Sequence, residues 1–514
     1  MLATVTKTRP RLRPGGMPRI GRSGDDEHYR WWALSCTSLG MLLAATNSGT
    51  LIIALPDLER SLHTSLLALV WVILAYLIAA TVLVLMAGRL SDLFGRKRAY
   101  VAGFALFAFA SLGAGFASSG TELILWRILQ GISSSFLFAN AAALVTDAFP
   151  KEQLGLAMGA NTMVAAVGLV LGPVLGGALV AISWHWVFWF NVPLALAGAA
   201  WGAVVLRELA KPDEVRGYDV LGTTTFVIGF TGLVLGVSKG GISGWHNPVV
   251  IAGLGAAAVL LPLWVLIERR SRAPMLDLTI FQNRLFSAAT AAAFINGLSR
   301  FALMFLFVFY FQGAQGDSPI DAGIKLTPLA LGMLVASPLA GMYADRHGSR
   351  ALASIGMLVT ATGLAGMTTL QVSSPYPQSA LWLALVGVGS GMFNSPNTAA
   401  MMGVVPAKRR GIAAGARTLL QNTGAVLSIA FVLAVVTSSI PKSTLFAVFS
   451  GLAKGLSPEK LEPFIANMHV ALWALSAVSV LGALVCLLRP AHTTAETQAA
   501  PAAGALTESQ GAGA

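Results

Sequence analysis

Charge is what this 514-residue chain is short of: Asp, Glu, Lys and Arg together make up 11% of it, where a soluble domain carries roughly 25%. That scarcity excludes a water-soluble globular protein, and with it a nucleic-acid-binding domain, despite a formal net charge of +12. Cysteine is nearly absent too. Cys36 and Cys486 stand near opposite ends of the sequence, so no disulfide framework is indicated. None of the seven histidines falls in the middle of a long apolar run, and no cluster of His, Asp or Cys marks a catalytic or metal centre, so neither a cofactor nor a metal is expected. Acids avoid the interiors of the same runs: Asp57, Glu122, Asp147, Asp219 and Asp321 all fall at run ends.

What is present is hydrophobic length, with 55% of residues apolar. Fourteen apolar runs are long enough to cross a bilayer, which takes about 20 residues for roughly 30 Å of hydrocarbon. They are apolar all round and do not alternate, so helices and not barrel strands are expected. The predicted fold is an all-α polytopic membrane protein. Sorting basic residues by alternate loops puts 25 of the 34 Lys and Arg on the side holding both termini, which makes that side cytoplasmic in a plasma or inner membrane. Residues 1–30 are expected to form a disordered basic tail that touches anionic lipid, and 491–514 a second disordered tail.

One short charged loop occurs twice. Gly88-Arg-Leu-Ser-Asp92-Leu-Phe-Gly95-Arg96 is echoed by Gly341-Met-Tyr-Ala-Asp345-Arg346-His-Gly348, with the same intervals from Gly to Asp and from Asp to the second Gly. The copies are eight spans apart, not six. The simplest account is a six-helix bundle over 31–207, an inserted helix pair with flanking loops over 208–284, and a second six-helix bundle over 285–490 that carries a long outer loop at 439–466. That loop contains Leu445, Phe446 and Phe449 and is expected to hold an interfacial helix or hairpin. Repeated bundles usually place a substrate site at their interface and alternate access by rocking, so a transporter is expected. Gly88, Asp92, Gly95, Arg96, Asp345 and Arg346 form the expected cytoplasmic gate, with Asp92 either pairing with Arg96 or accepting from a helix N-terminus across the bundle.

Several stretches resemble the major facilitator superfamily, and in particular its fourteen-span drug:proton antiporter family, the EmrB/QacA-type exporters. The Gly88 loop resembles the signature between spans 2 and 3, Arg127-x-x-Gln130-Gly131 a second, and Gly168-x-x-x-Gly172-Pro173-x-x-Gly176-Gly177 the signature of the antiporter branches. Trp71 to Tyr76, Trp186 to Pro193 and Phe311-Gln312-Gly313 are similar to further family stretches. The resemblance implies two bundles working by alternating access, proton antiport, and a coupling or relay role for Arg127 and Gln130. It also implies that the glycine face of span 5, with Pro173, packs against another helix and limits leak.

The charges left inside spans sharpen this. Lys325 lies four residues after Asp321, which suits an i,i+4 pair, and both join the coupling candidates. Arg417 is close enough to the cytoplasmic end of its span to snorkel. Arg300 is deep, with about 22 Å of helix before it and about 16 Å after it. A cavity-facing Arg300 is the expectation, beside Asn296, Phe301 and Met304, and the candidate cavity also includes Asn47, Tyr76, Asn397 and Asn422. Asn47 stands where the resembling family carries an aspartate, and an amide cannot titrate. The leading expectation is a monomeric secondary exporter of amphipathic small molecules, coupled to protons by resemblance. The alternative is an exporter of an anionic lipid or acidic metabolite with atypical coupling, and a non-transporting sensor or an enzyme is the remote one.

Overall fold

The computed structural model describes residues 28–62, 64, 66–209, 219–271, 274, 276, 278–406, 409–437 and 458–489. The expected tails at 1–30 and 491–514 lie outside these residues but for 28–30, as does the outer loop up to residue 457. The last helix begins at Pro458, so the end of the stretch expected as loop is helical.

The described elements are helical. In chain order they are α1 (Tyr29–Leu62), α2 (Leu66–Val82), α3 (Val84–Phe94), α4 (Arg96–Ala114), α5 (Gly120–Ala148), α6 (Leu154–Ile182), α7 (Trp186–Trp189), α8 (Asn191–Val205), α9 (Val220–Ser243), α10 (Pro248–Arg270), α11 (Arg284–Phe309), α12 (Pro319–Lys325), α13 (Thr327–His347), α14 (Ser349–Met367), α15 (Tyr376–Gly403), α16 (Arg410–Thr437) and α17 (Pro458–Leu487). Among the described residues, eight helical stretches are long and apolar enough to cross a membrane, and the pair Trp71–Val82 and Val84–Phe94, bent by 45°, would add a ninth. Backbone groups in such helices are satisfied internally, which is what hydrocarbon demands. This is a multi-pass membrane protein.

The helices form two bundles with matching internal contacts. Gly168 of α6 sits on Ala45 Cβ and the Leu42 carbonyl of α1; Gly424 of α16 sits on the Phe294 carbonyl of α11. Gly131 of α5 meets the Tyr76 carbonyl of α2; Gly387 of α15 meets the Leu329 carbonyl of α13. Each glycine lets two backbones approach closer than any side chain would allow. The repeat announced by two loops therefore extends through the packing of both halves.

The pair α9 and α10 is peripheral. α10 packs on α9, and α9 packs in turn on α2 of the first bundle and α16 of the second. Phe226, Phe230 and Val234 of α9 join a buried apolar cluster with Leu85 of α3 and Ala413 of α16, covering one seam between the bundles. On the other seam α6 packs directly on α13.

Candidate functional site

The two repeated loops lie on one face of the molecule and lock the bundles to each other. Asp92, at the end of α3, accepts from Ile412 N at 3.1 Å in the first turn of α16. Asp345, at the end of α13, accepts from Gly155 N at 2.8 Å and Leu156 N at 3.0 Å at the start of α6. Each carboxylate thus caps the opposite bundle's helix, where free N–H groups and the helix dipole favour negative charge. The preceding glycines make this approach possible. A Cβ on Gly88 would lie 2.6 Å from the Gly411 carbonyl oxygen, and one on Gly341 would lie 2.0 Å from that of Gly155. Gly95 and Gly348 have φ of 106° and 85°, a region that side-chain-bearing residues avoid, so the second glycine of each loop is a backbone requirement.

Around Asp92 the electrostatics are one-sided. Arg96, 1% exposed, donates to Asp92 Oδ1 at 2.8 and 3.0 Å and forms an ion pair with Asp147 of α5. Asp147 in turn accepts from Arg410 Nη1 of the second bundle at 2.9 Å. Two acids and two arginines alternate, so the cluster is neutral and each buried charge is compensated. The second loop has no such chain: Ser349 follows Gly348 where Arg96 follows Gly95, and Arg346 is exposed, outside the contact it was expected to join. Asp147, Arg410 and Ser395, whose hydroxyl donates to the Gly155 carbonyl at 2.8 Å, were not singled out by sequence reasoning. Neither was Glu208, which accepts from Arg96 N at 2.8 Å and so caps α4. An acid at the end of a span, on the face where bases dominate, was the available signal for Asp147.

A second constellation lies deep in the first bundle. Arg127, 1% exposed, donates to Gln130 Oε1 at 2.6 Å, to the Val72 carbonyl at 3.1 Å and to Asn47 Oδ1 at 3.5 Å, and its guanidinium lies 4.3 Å from the centre of the Tyr76 ring. Gln130 donates to Ser111 Oγ at 2.7 Å, and Asn191, missed from sequence, donates to Asn47 Oδ1 at 3.4 Å. The structure therefore joins Asn47 and Tyr76 to Arg127 and Gln130. The matching positions in the second bundle are apolar: Leu383 and Val386 stand before Gly387 as Arg127 and Gln130 stand before Gly131, and Leu329 matches Tyr76. The network belongs to one half only. Replacing Arg127 by Gln removes donors from several buried acceptors at once and is expected to cost about 2–4 kcal/mol, read as a lower midpoint in thermal unfolding of the detergent-purified protein.

Other expected site residues fall differently. Lys325 pairs with Asp317, not with Asp321, whose backbone N–H and carboxylate are engaged by Ser318 at the start of α12. The helix breaks at Leu326 and the turn before it brings Asp317 closer. Asn397 is not a free cavity group: it donates to the Ala289 carbonyl at 3.1 Å and accepts from the buried Arg489. Asn296 turns inward to Met357 Sδ of α14 at 3.5 Å. Met304 is half-buried against the second bundle's apolar core, and Asn422 is half-buried on α16. Gly168 and Gly172 pack on α1, where a Cβ on the latter would lie 2.9 Å from Gly49 Cα, while Gly177 meets Ile320 of α12; Gly176 is buried. Arg300 is half-buried on α11, with Nη1 3.9 Å from Met333 Sδ and its guanidinium 4.7 Å from the Phe301 ring centre.

Residues 37–219 and 289–509 match the Major Facilitator Superfamily. The chain belongs to that superfamily. The unmatched stretch between these ranges contains α9 and α10. Relatives include the tetracenomycin C resistance and export protein of Streptomyces glaucescens, 31% identical over 80% of this chain and 76% of that one. The multidrug resistance protein Stp of Mycobacterium tuberculosis is 31% identical over 77% of this chain and 74% of its own length. Among solved structures, the human organic anion transporter MFSD10 superposes with a TM-score of 0.62 at 15% identity, over 89% of this chain and 99% of that one, a likeness of fold. This major facilitator protein is a membrane transporter.

Proposed function

We propose that this transporter is a secondary active exporter of amphipathic small molecules of the multidrug type, working by alternating access, with fourteen spans and both termini on the cytoplasmic side of the cell membrane. The observation that carries this reading is the reciprocal latch, in which Asp92 and Asp345 each cap a helix of the opposite bundle. A pair of contacts made between bundles, and not within them, is what a gate that opens by rocking requires. The latch face carries the excess of Lys and Arg, so it is the cytoplasmic side in this reading, and the latched state is the one closed to the cytoplasm. Relatives named for drug resistance and export support the direction of transport.

Proton antiport is the coupling that family membership favours. Here the carboxylates of the described residues sit at the two ends of the molecule, while the deep network around Arg127 holds the amide of Asn47 in place of a titrating acid. Coupling through a peripheral acid, weaker than in an acid-bearing relative, is the corresponding expectation. The reading is tested in everted membrane vesicles with ethidium and a neutral amphipathic dye. Energised uptake several-fold above vesicles without the protein is expected, and a panel in which no amphiphile moves would overturn it. Asn47→Asp places a titratable group beside Arg127 and is expected to steepen the dependence of uptake on an imposed pH gradient; a gradient response identical to wild type would remove Asn47 from coupling.

A further inference from the structure

Arg300 and Arg417 of the second bundle have no anionic partner among the described residues, and the Nε of each is buried without an acceptor. Elsewhere in the described interior Arg96 and Arg410 are matched by Asp92 and Asp147 and Lys325 by Asp317, while Arg127 and Arg489, also without an acid, are held by side-chain amides: Arg127 by Gln130 and Asn47 together with the Val72 carbonyl, and Arg489 by Asn397. An uncompensated cation at membrane depth is costly and therefore faces a partner or a cavity.

Geometry says which way they face. On α16, Arg410, Arg417 and Gln421 follow at intervals of seven and four residues and so share one helix face. Arg410 reaches Asp147 of α5 in the first bundle, and Gln421 donates to Asn394 Oδ1 of α15 at 3.2 Å. Arg417, between them, therefore looks into the space between α5 and α15 and not toward lipid, which sets aside the snorkelling expected from sequence. Arg300 approaches Met333 of α13, and Met333 packs in one apolar cluster with Ala166 of α6, again at the junction of the bundles. α11 and α16 run side by side and parallel: Gly424 lies at the Phe294 carbonyl and Leu298 N, and Ser428 Oγ accepts from Ala302 N at 3.3 Å. In that register Arg300 stands about nine residues, roughly 14 Å, farther from the latch than Arg417. One carboxylate cannot bridge that gap.

We propose that Arg417 and Arg300 are two successive anion-binding stations on the substrate path, and that this transporter's preferred cargo is an amphiphile carrying a carboxylate or a comparable acidic group. Arg417, just beyond the latch, receives the acid group; Arg300, farther along, holds it while the apolar body lies on Phe301 and Met333. This inference rests on the exporter reading above and narrows it to acidic substrates. The guanidinium supplies planar paired donors for a carboxylate; an ester offers only a neutral acceptor and an ammonium is repelled.

The test uses 4-octylbenzoate, its methyl ester and 4-octylbenzylamine, with binding to the detergent-purified full chain read by tryptophan fluorescence and uptake read in everted vesicles. Octylbenzoate is expected to bind at least about ten-fold tighter than the ester or the amine, the size of one charge-assisted hydrogen bond. Arg417→Gln and Arg300→Gln are each expected to reduce that preference about ten-fold, with Lys at either position restoring part of it. Equal affinity for acid and ester in the wild type would overturn the proposal, and so would a preference untouched by both variants. If a variant fails to fold, the wild-type comparison still decides. Ethidium transport without any acid preference would sink this inference and leave the exporter reading standing, whereas acid-selective binding without uptake of any probe would overturn the exporter reading, and the cargo claim with it, while leaving the two arginines as anion-binding sites.

Discussion

Asp92→Asn is expected to shift the resting protein from the latched state toward the open one by roughly thirty-fold and to lower export correspondingly. The argument separates contacts within a bundle from contacts between bundles. Asp92 and Arg96 are on the same bundle and stay paired in either state, so their ion pair does not discriminate. The bond from Ile412 N and the charge at the start of α16 exist only when the bundles meet. A charge-assisted hydrogen bond contributes about 1.5–3 kcal/mol and a helix terminus up to about 1 more; an amide retains part of the first and none of the second. A net loss of about 2 kcal/mol is a factor of roughly thirty. The measurement is a distance distribution by pulsed electron resonance between spin labels at Phe94 and Arg346, which are exposed on the two loops of the opposing bundles. A widened distribution with reduced export is the expected result. Wild-type distances with wild-type export would remove the latch from the transport cycle.

Gly341→Val is expected to be more severe, bringing export close to background while leaving the protein folded. Any Cβ at this position would stand 2.0 Å from the oxygen and 2.4 Å from the carbon of the Gly155 carbonyl, both backbone atoms that cannot rotate away. Restoring ordinary contact at about 3.5 Å requires α6 and α13 to part by more than 1 Å. That separation also breaks the bonds from Gly155 N and Leu156 N to Asp345, and the one from Ser395 to the Gly155 carbonyl, because all converge on the same turn of α6. Steric and electrostatic damage therefore coincide. The backbone clash lies between bundles, and the remaining contact, with Ser395 Oγ of α15 at 2.8 Å, is with a side chain that can rotate, so the packing of α13 on α15 and of α6 on α1 is preserved and a symmetric size-exclusion peak is expected. The same spin labels should report a distribution wider than in Asp92→Asn. Export near the wild-type rate would show that the bundles do not close on this contact during the cycle.

Much of this architecture was legible because membrane constraints are few and strong. Long apolar runs specify helices, since nothing else satisfies backbone polar groups in hydrocarbon. The Gly/Asp spacing specified the latch, because a glycine at the crossing and an acid one turn later are the minimum for a helix end to meet another helix's N-terminus. The glycines of span 5 were legible for a similar reason: Gly168 and Gly172 can serve only a close approach, and α1 supplies it. What escaped were partners brought from a distance. Lys325 has acids four and eight residues before it, and the turn before α12, not the interval, selected Asp317. Asn397 read as a polar group free to line a cavity until Arg489, from the far end of the last helix, filled its acceptor.

By itself, then, the sequence determined the material, helices of membrane length with acids kept to their ends, and from a repeated loop it raised the expectation of two related halves with an extra pair between them, since local apolarity and local spacing depend on no other part of the chain. Only the tertiary structure decided which charges meet. Asp147 joins Arg96 to Arg410 across the bundles, Asn47 joins Arg127 within one, and Arg300 and Arg417 face the junction without an acid. The physical reason is that an electrostatic contact is set by distance in space, and in a bundle of long helices residues hundreds of positions apart lie within a hydrogen bond of each other.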